Sequence, residues 1–342
     1  MKIPNQDIVQ FVREIRQDKD KKIVIVPHIN PDGDAIGSAM ALYYFFSKQN
    51  TVTLITPSDF PDFLNWLPSS NQFINYKKHQ KTSEELIASA DFIIIVDHNA
   101  PDRSGDLEQG IARSEAKKLM IDHHPEPSYP TDFKISSIEV SSTAELVYNF
   151  ISEIEKSSLD ILMASAIYVG IMTDTGNFMH NIHAQTFETV SQLMKYNIDR
   201  EYIYNQVFNN YSLDRMRLLG YTLSDKMEIL DHCGVAILSL NKQELETFKY
   251  QTGDTEGFVN MPLAIKGVHA SVLVMERDNE IKLSFRSKGD IAINTLAKQY
   301  FNGGGHKNAA GGSEKKLDME ATVRFLKEVI LKHSDIFINK AK

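Results

Sequence analysis

Short apolar runs rich in β-branched residues alternate with helical patterns through the first half of the chain, and this alternation limits the possible folds more than any other feature. The apolar runs occupy residues 23–26, 52–55, 92–96 and 119–121, and the helical patterns occupy residues 34–48, 143–156 and 159–172. Strands that alternate with helices pair in parallel through crossover connections. We therefore predict an α/β domain built on a parallel sheet, with Ser142 and Glu145 as a capping box at one helix start.

The second half has a different pattern, which indicates a smaller α+β domain. Residues 184–226 are helical and polar in pattern, which is typical of a connector between domains. Predicted strands at residues 234–240, 270–276 and 280–285 are typical of antiparallel hairpins, the last two joined by Arg277, Asp278 and Asn279. Predicted helices at residues 291–301 and 319–331 cover this sheet. We place the first domain at residues 1–190, the connector at 191–226 and the second domain at 227–337.

Composition limits the partners that this chain can have. Lys and Arg total 37 against 45 Asp and Glu, a formal net charge of -8, so no overall basic field is available to hold long DNA or RNA. Cys233 is the only cysteine, which excludes a disulfide framework and fits a reducing compartment. The sequence contains no run of about 18 apolar residues. We therefore expect a cytoplasmic protein with neither a membrane nor a long nucleic acid as its partner.

Side chains with metal-ligand chemistry directly follow three of the predicted strands. They are His28, Asp32 and Asp34 after the first strand, Asp97 after the third, and Asp122, His123 and His124 after the fourth. The carboxyl ends of parallel strands lie side by side, so we expect these side chains to converge. Each segment alone also fits a polar turn or strand end, but the three together predict a metal site.

Asp174 supplies a further carboxylate, where a predicted helix gives way to a turn that contains Gly176. Alone it also fits an ordinary helix end. With Asp174 included, carboxylates outnumber imidazoles and sulfur is absent, which favours manganese or magnesium over a structural zinc. The imidazoles favour manganese. Solvated loops are expected to hold the scattered histidines His79, His98, His180, His183, His232, His269 and His333.

Four motifs, in this order, resemble those of the DHH phosphoesterase superfamily. They are His28-x-x-Pro31-Asp32-x-Asp34, Asp97, Asp122-His123-His124 and Thr173-Asp174-Thr175-Gly176. In the second half, Gly303-Gly304-Gly305-His306 and Ala309-Ala310-Gly311-Gly312, with Phe285-Arg286-Ser287 upstream, resemble the DHH-associated domain of the branch with short-oligoribonucleases and pAp phosphatases. The resemblance extends from about residue 5 to residue 330.

The resemblance implies a role for each matched residue of the first half. Two divalent cations are held, one by His28 and Asp32, and the other by Asp34, His123 and Asp174. Asp97 bridges the two cations. Asp122 orients the imidazoles as their hydrogen-bond partner, and His124 faces the substrate. Arg103, which matches an Arg-x-Gly after the bridging Asp, contacts the phosphate or supports its loop.

In the second half, the resemblance implies that Arg286, Ser287, Gly304, Gly305 and His306 bind the substrate. Glycines permit close approach of backbone N–H groups to a phosphate, and arginine supplies a planar two-pronged donor. Because the glycine run at residues 302–305 follows a predicted helix, a helix C-cap and turn is its alternative interpretation.

The implied activity is hydrolysis of short oligonucleotides to mononucleotides, of pAp to AMP, or of both, by a water that two cations activate. The implied ligands are small nucleotides and very short single-stranded oligonucleotides, and a homodimer is one assembly state open to the chain. Hydrolysis of cyclic or linear diadenylate stays open as an alternative.

Other interpretations fit the sequence less well. A RecJ-type exonuclease is expected to be longer and to carry a basic channel, and a family II inorganic pyrophosphatase lacks the glycine-histidine segment. A catalytically silent nucleotide-binding sensor is expected to lack a metal ligand, whereas every matched ligand position here has a suitable side chain.

Overall fold

The computed structural model describes residues 6–17, 20–278 and 280–338, and the chain divides into two compact units, Met1–Asn210 and Tyr211–Lys342. The division falls inside the predicted connector at residues 191–226. Asn279 of the predicted turn and residues 1–5 of the first predicted domain lie outside the described residues. In the described ranges, no helix has both the length and the apolar character needed to cross a bilayer.

The first unit is built on the predicted parallel sheet. Its strands are β1 (Lys22–Val26), β2 (Thr51–Thr56), β3 (Phe73–Asn75), β4 (Phe92–Val96), β5 (Lys117–Asp122) and β6 (Phe133–Ser136). Among the described residues they form one six-stranded sheet in the order β3-β2-β1-β4-β5-β6, with every pairing parallel. The predicted strands correspond to β1, β2, β4 and β5, whereas β3 and β6 are additional.

Helices cover both faces of this sheet. They are α1 (Gln6–Gln17), α2 (Gly33–Phe46), α3 (Gln80–Ala88), α4 (Glu108–Arg113), α5 (Thr143–Glu155), α6 (Ile161–Asp174), α7 (Ala184–Leu193) and α8 (Arg200–Phe208). Short 3-10 helices lie at Asp62–Leu64, Ser70–Gln72, Pro101–Leu107, Lys156–Ser158 and Met194–Tyr196. The three predicted helices correspond to α2, α5 and α6.

Alternate residues of β1 pack into two different cores. Ile23 and Ile25 lie in the core that contains α2, α5 and α6, whereas Val24 and Val26 lie in the core on the other face with α3 and α4. This arrangement follows from the two-residue period of a strand, and it explains why β1 is apolar at successive positions.

Two glycines allow α2, α5 and α6 to approach one another closely. A Cβ atom at Gly37 would lie 2.4 Å from the carbonyl oxygen of Ala166. A Cβ atom at Gly170 would lie 2.5 Å from the Cβ of Ala144 and 2.9 Å from Oδ1 of Asp34. The close packing therefore brings the first turn of α5 next to the Asp34 carboxylate.

The second unit is an α+β fold on a mixed sheet. Its strands are β7 (Met227–Leu230), β8 (Val235–Leu240), β9 (Ala270–Glu276), β10 (Ile281–Ser287), β11 (Gly304–His306) and β12 (Ala309–Glu314). Its helices are α9 (Leu213–Ser224), α10 (Lys242–Thr247), α11 (Asn294–Tyr300), α12 (Met319–Lys332) and α13 (Ser334–Ile338), with a 3-10 helix at Phe258–Ala264. In the part of the chain that is described, the sheet order is β11-β12-β10-β9-β8-β7.

Two features of this sheet differ from the prediction. β9 and β10 form the predicted antiparallel hairpin, but β8 pairs with β9 in parallel, because α10 and a 3-10 helix form a crossover between them. The antiparallel partner of β8 is β7, which the sequence did not predict. The predicted glycine loop is partly strand, since Gly304 and Gly305 belong to β11 and pair with β12.

Candidate metal centre

The segment after β1 brings His28 and Asp32 to the carboxyl edge of the sheet. Asp32 is the N-cap of α2, where its Oδ1 accepts hydrogen bonds from the backbone N–H groups of Asp34 at 3.0 Å and Ala35 at 3.1 Å. Its Oδ2 lies 3.9 Å from Nε2 of His28. Nδ1 of His28 is 2.8 Å from the carbonyl oxygen of Ile29, which can only accept, so Nδ1 carries a proton and Nε2 is the ring atom available to coordinate a cation.

Asp97 lies between two histidines. It follows β4 in a left-handed backbone conformation with φ of 61°, and its side chain is buried. Oδ2 is 3.4 Å from Nε2 of His28, and Oδ1 is 3.7 Å from Nε2 of His123. The hydroxyl of Thr143 donates to Oδ1 at 2.8 Å. The two oxygens of one carboxylate therefore face different imidazoles.

Asp34, His123 and Asp174 form a second group of donor atoms. Nε2 of His123 lies 3.9 Å from Oδ2 of Asp34 and 3.5 Å from Oδ2 of Asp174. The first turn of α5 holds the buried Asp34 carboxylate, because the N–H groups of Thr143 and Ala144 donate to Oδ2 at 2.7 Å and to Oδ1 at 2.8 Å. Helix N-termini favour such anions.

The charges of this cluster favour a bound cation. Burial, followed by the charges of Asp97, Asp174 and Asp32, raises the pKa of Asp34 well above its usual value. Burial acts in the same direction on Asp97, but its contact with His28 and the charges of the neighbouring imidazoles hold its pKa below the usual value. A cation among these carboxylates relieves their mutual repulsion.

The donor atoms are suitable for hard divalent cations. His28, Asp32 and Asp97 offer donor atoms that all lie within 4.8 Å of one another, and so do Asp34, His123 and Asp174. Oxygen predominates and the rest is imidazole nitrogen, which fits manganese or magnesium. The structure thus brings all six predicted metal ligands together at one edge of the sheet.

Asp122 and His124 form a pair beside this cluster. Nδ1 of His124 is 2.7 Å from Oδ1 of Asp122, and the His124 backbone N–H donates to Oδ2 at 2.9 Å. Burial acts to lower the pKa of His124, but the hydrogen bond to Asp122 and the charge of Asp97 outweigh it and raise the pKa. Asp122 therefore orients His124 and favours its cationic form. The predicted role of Asp122 toward the second imidazole, that of His123, stays a prediction.

Arg103 and His98 lie in the segment after Asp97. The Arg103 carbonyl accepts a hydrogen bond from the Ile29 N–H at 2.8 Å, and the guanidinium is near enough to His124 for its charge to oppose protonation there. Both the loop-support and the phosphate-contact interpretations of Arg103 are compatible with this position. The expectation of a solvated His98 is wrong. Its ring is fully buried, and burial lowers its pKa to about 3.

Sequence reasoning missed Thr143, whose side chain and backbone contact two of the predicted ligands. The predicted capping box forms only in part. Ser142 accepts from the N–H of Glu145 at 3.2 Å, but Glu145 instead accepts from the N–H of Ser141 at 3.1 Å and from its hydroxyl at 2.7 Å. The run of three hydroxyl residues at 141–143 is the available signal, but only Ser142 is given a role from the sequence, as a helix cap.

In the second unit, Arg286 and His306 lie in one row across three neighbouring strands. Both residues pair with Ala309 of β12, from opposite sides. Directly paired residues project from the same face of a sheet, so Arg286 and His306 lie on either side of the small Ala309 side chain. Because β12 lies between their strands, the two backbones are two strand spacings apart, about 10 Å. One row away on the same face, Gly304 pairs with Gly311. This face therefore offers two basic side chains beside a floor of glycine and alanine.

Ser287 and Gly305 make contacts that hold the backbone around Arg286 and His306. The buried hydroxyl of Ser287 donates to the carbonyl oxygen of Ile291 at 2.6 Å and accepts from the side-chain amide of Asn308 at 2.9 Å. Gly305 has φ of 134°, and a Cβ atom there would lie 2.6 Å from the carbonyl oxygen of Ala309. These contacts give both residues a structural role, and their predicted contact with substrate stays a prediction.

Comparison with known proteins gives consistent similarities for both units. Residues 22–171 match the DHH family, N-terminal domain, and residues 235–332 match the DHHA1 domain. An exopolyphosphatase-related protein from Bacteroides fragilis, known from its crystal structure, is 41% identical with a TM-score of 0.92, covering 98% of this chain and 99% of that chain. The bifunctional oligoribonuclease and PAP phosphatase NrnA of Bacillus subtilis (strain 168) is 29% identical over 85% of this chain and 88% of its own length. The protein of the same name from Thermus thermophilus is 25% identical, covering 94% and 93%.

Proposed function

The chain belongs to the DHH family and carries a DHHA1 domain, and from this premise we propose that it is a phosphodiesterase and phosphatase of short nucleotides. Its reactions are the hydrolysis of short oligonucleotides to mononucleotides, of pAp to AMP, or of both. Two relatives that align over most of their length are named for these two activities. We also propose a cytoplasmic location, with small nucleotides rather than long nucleic acids as ligands.

The position of Asp97 carries this proposal. Its two oxygens lie 3.4 Å from His28 and 3.7 Å from His123, so one carboxylate serves both groups of donor atoms. A polar strand end without a metal role needs no such arrangement. We assign one cation to His28 and Asp32, the other to Asp34, His123 and Asp174, and the bridging position to Asp97.

Two divalent cations bound there would lower the pKa of a water and stabilise the entering and leaving oxygens of the phosphate. The imidazole donors favour Mn²⁺ over Mg²⁺. Thr143 and Ala144 keep the Asp34 and Asp97 carboxylates oriented by hydrogen bonds of 2.7–2.8 Å.

The remaining groups neutralise charge on the substrate. His124, whose pKa Asp122 helps to raise, is assigned to the phosphate oxygens, where a cationic imidazole stabilises developing negative charge. Arg286 and His306 are assigned to substrate phosphate in the second unit, because they flank an open floor that a ligand can approach closely.

A substrate panel tests the proposed function. Chelated protein is assayed with Mn²⁺ or Mg²⁺ on pAp, di- to pentanucleotides, linear and cyclic diadenylate, pyrophosphate and inorganic polyphosphate. Polyphosphate is included because the Bacteroides fragilis relative is described as exopolyphosphatase-related. We expect no turnover after chelation and the fastest turnover of pAp or dinucleotides with Mn²⁺. Full activity in excess chelator, after verified metal removal, contradicts the metal mechanism, and nucleotide binding without turnover of any compound indicates a sensor.

The Asp97→Ala variant tests directly whether Asp97 bridges the two groups of donor atoms. Loss of a bridging carboxylate removes the shared neutralising group of both cations, so turnover should fall below detection while the protein stays folded. A variant that keeps more than a tenth of the wild-type rate has lost less than about 1.4 kcal/mol of transition-state stabilisation. That result would show that Asp97 does not bridge two cations.

A further inference from the structure

A buried chain of hydrogen bonds lies directly behind the Asp97 turn. The imidazole of His98 has Nδ1 at 2.9 Å from the carbonyl oxygen of Val96 and Nε2 at 2.9 Å from the hydroxyl of Ser104. The Ser104 hydroxyl is in turn 2.9 Å from the phenolic oxygen of Tyr129. His98 and Ser104 are fully buried, and Tyr129 is nearly so.

The acceptors fix the direction of every hydrogen bond in this chain. The carbonyl of Val96 can only accept, so Nδ1 of a neutral His98 carries the proton and Nε2 must accept. The single hydroxyl proton of Ser104 therefore points to His98, and Tyr129 donates to Ser104. Each of the three polar groups is satisfied in one orientation only, which makes the chain rigid.

This chain joins three segments that carry predicted site residues. His98 follows Asp97, and its ring folds back across the Asp97 turn, which has φ of 61°. Ser104 follows Arg103, whose carbonyl accepts from the Ile29 N–H at 2.8 Å. Non-glycine residues with positive φ are costly and need support from their surroundings.

The third segment begins at Asp122, His123 and His124 and reaches Tyr129. The backbone N–H of Tyr129 donates to the carbonyl oxygen of Asn99 at 2.9 Å, and the side-chain amide of Asn99 donates to the carbonyl of Pro125 at 2.6 Å. The rings of His98 and Tyr129 also pack edge to face with centroids 5.5 Å apart.

We infer that His98, Ser104 and Tyr129 are positioning residues that hold the Asp97 turn in register with the His123 segment, and so set how tightly the centre binds its cations. None of the three is among the predicted metal ligands or substrate contacts. The inference rests on the proposed function, because it assumes that Asp97 and His123 are metal ligands. A purely structural role predicts instead that loss of these hydroxyls lowers stability and leaves cation affinity unchanged.

Two single-hydroxyl variants, Tyr129→Phe and Ser104→Ala, separate these roles, and the chain offers a matched control for each. Tyr76 lies in the same core as Tyr129, is similarly buried and donates to Glu84 at 3.0 Å. Ser83 is fully buried and donates to the carbonyl of His79 at 2.9 Å, in α3. The controls Tyr76→Phe and Ser83→Ala therefore make the same substitutions at buried side chains and remove one hydroxyl hydrogen bond each, away from the candidate centre.

Mn²⁺ binding to the full-length chain is measured by equilibrium dialysis with elemental analysis, and thermal unfolding is measured in parallel. We expect Tyr129→Phe and Ser104→Ala to weaken Mn²⁺ binding about tenfold, the lower end of the range for residues behind metal ligands, and the controls to change it less than twofold. The double variant should bind no more weakly than the weaker single variant, because both hydroxyls act through one chain.

Mn²⁺ affinity within twofold of wild type in both network variants overturns the inference, and so do fully additive effects in the double variant. Tyr129→Phe keeps the aromatic contact with His98, so it decides the question if Ser104→Ala does not fold. Wild-type protein that binds no Mn²⁺ overturns the proposed function together with this inference. If the wild-type protein binds Mn²⁺ and turns over substrate, and the network variants bind Mn²⁺ as tightly as wild type, this inference alone is overturned.

Discussion

Gly303 and Gly304 are adjacent, but packing excludes a side chain at only one of the two positions. A Cβ atom at Gly303 would lie 2.0 Å from the carbonyl oxygen of Gly311, so the backbone of β12 excludes any side chain there. A Cβ atom at Gly304 meets nothing within 4 Å, and its φ is not positive. Neither packing nor backbone conformation therefore explains the glycine at 304. Under the proposed function, close approach of a ligand to this position accounts for the glycine, and this explanation can be tested.

Gly304→Ala should accordingly fold normally and bind substrate poorly. We expect its thermal midpoint to stay within about 2 °C of wild type, and its kcat/KM on pAp and dinucleotides to fall at least tenfold, about 1.4 kcal/mol, mainly through KM. Gly303→Ala is the matched control and should lose stability instead. Steady-state kinetics and thermal unfolding of both variants check the prediction. Normal kinetics for a folded Gly304→Ala would mean that the glycine run has only a structural role.

The predicted metal ligands could be identified from sequence, whereas the residues that support them could not. Asp97 and His123 follow apolar strands, and the edge at which parallel strands end is fixed by the fold class alone. Thr143 contacts Asp34 and Asp97 because α5 packs against α2, a tertiary relation that local pattern does not encode. His98 looked like a loop residue for the same reason, since the side chains that bury it come from distant segments.

At the scale of elements, the first turn of α5 acts as a clamp on the candidate centre. Thr143 contributes a hydroxyl to Asp97 at 2.8 Å and a backbone N–H to Asp34 at 2.7 Å. Thr143→Val keeps the shape and the backbone contact but removes the hydroxyl. We expect the Mn²⁺ concentration for half-maximal activity to rise about tenfold, because the Asp97 carboxylate is no longer fixed.

The Thr143→Ser variant serves as the comparison for this prediction, since it keeps the hydroxyl and removes only a methyl group. Its Mn²⁺ activation curve should stay within about threefold of wild type. Equal curves for the Val and Ser variants would mean that the hydroxyl bond to Asp97 does not tune the centre.

At the start of α10, the hydrogen bonds of the Glu244 carboxylate should make the free energy of unfolding depend on pH. Glu244 accepts from Lys226 at 2.7 Å, from the phenol of Tyr221 at 2.7 Å and from the N–H of Asn241 at 2.8 Å. Partial burial acts to raise the pKa of Glu244, but these donors, Lys226 first, outweigh it and lower the pKa. A carboxyl with a lowered folded-state pKa stabilises the protein above its unfolded value, near 4.5, and this contribution is lost as pH falls through the folded value.

Glu244→Gln should therefore be less stable than wild type at pH 7 by about 0.5–1 kcal/mol, and the difference should shrink at a pH of about 3.5. Glutamine keeps the geometry of the cap but cannot ionise. Urea unfolding of the full-length chain at the two pH values measures this. Exposed Glu246 on the same helix gives the control Glu246→Gln, which removes one carboxylate and leaves the contacts of Glu244 intact, so it should change stability at pH 7 less than Glu244→Gln does. If the stability difference between Glu244→Gln and wild type is the same at both pH values, the ion pair of Glu244 with Lys226 does not stabilise the protein.

The elements that sequence predicted are those with long apolar runs, and the ones it missed are short or depend on pairing. β1, β2, β4 and β5 are buried strands of five or six residues, whereas β3 has three residues and β6 has four. Pairing direction was the harder problem. β8 has the composition of a hairpin strand, and only the crossover through α10 makes its pairing with β9 parallel.

At the scale of the whole molecule, the residues predicted to bind cations and those predicted to bind substrate phosphate lie in different units. The predicted metal ligands all lie in Met1–Asn210, and the basic residues Arg286 and His306, which both pair with Ala309, lie in Tyr211–Lys342. The proposed function assigns cation binding to the first unit and substrate phosphate to the second. Loss of a side chain in the second unit should therefore change substrate binding without changing the metal content.

Arg286→Ala and His306→Ala test this division of labour. Each removes a donor to phosphate, and neither removes a predicted metal ligand, so metal content by elemental analysis should stay near that of wild type. Catalytic efficiency on pAp and dinucleotides should fall by one to three orders of magnitude, about 1.4–4 kcal/mol. If the hairpin of β11 and β12 is only a structural cap on the sheet, these variants lose stability and keep near-normal kinetics. Unchanged efficiency in both folded variants would mean that the second unit does not bind the substrate through these side chains, whatever the first unit does with its metals.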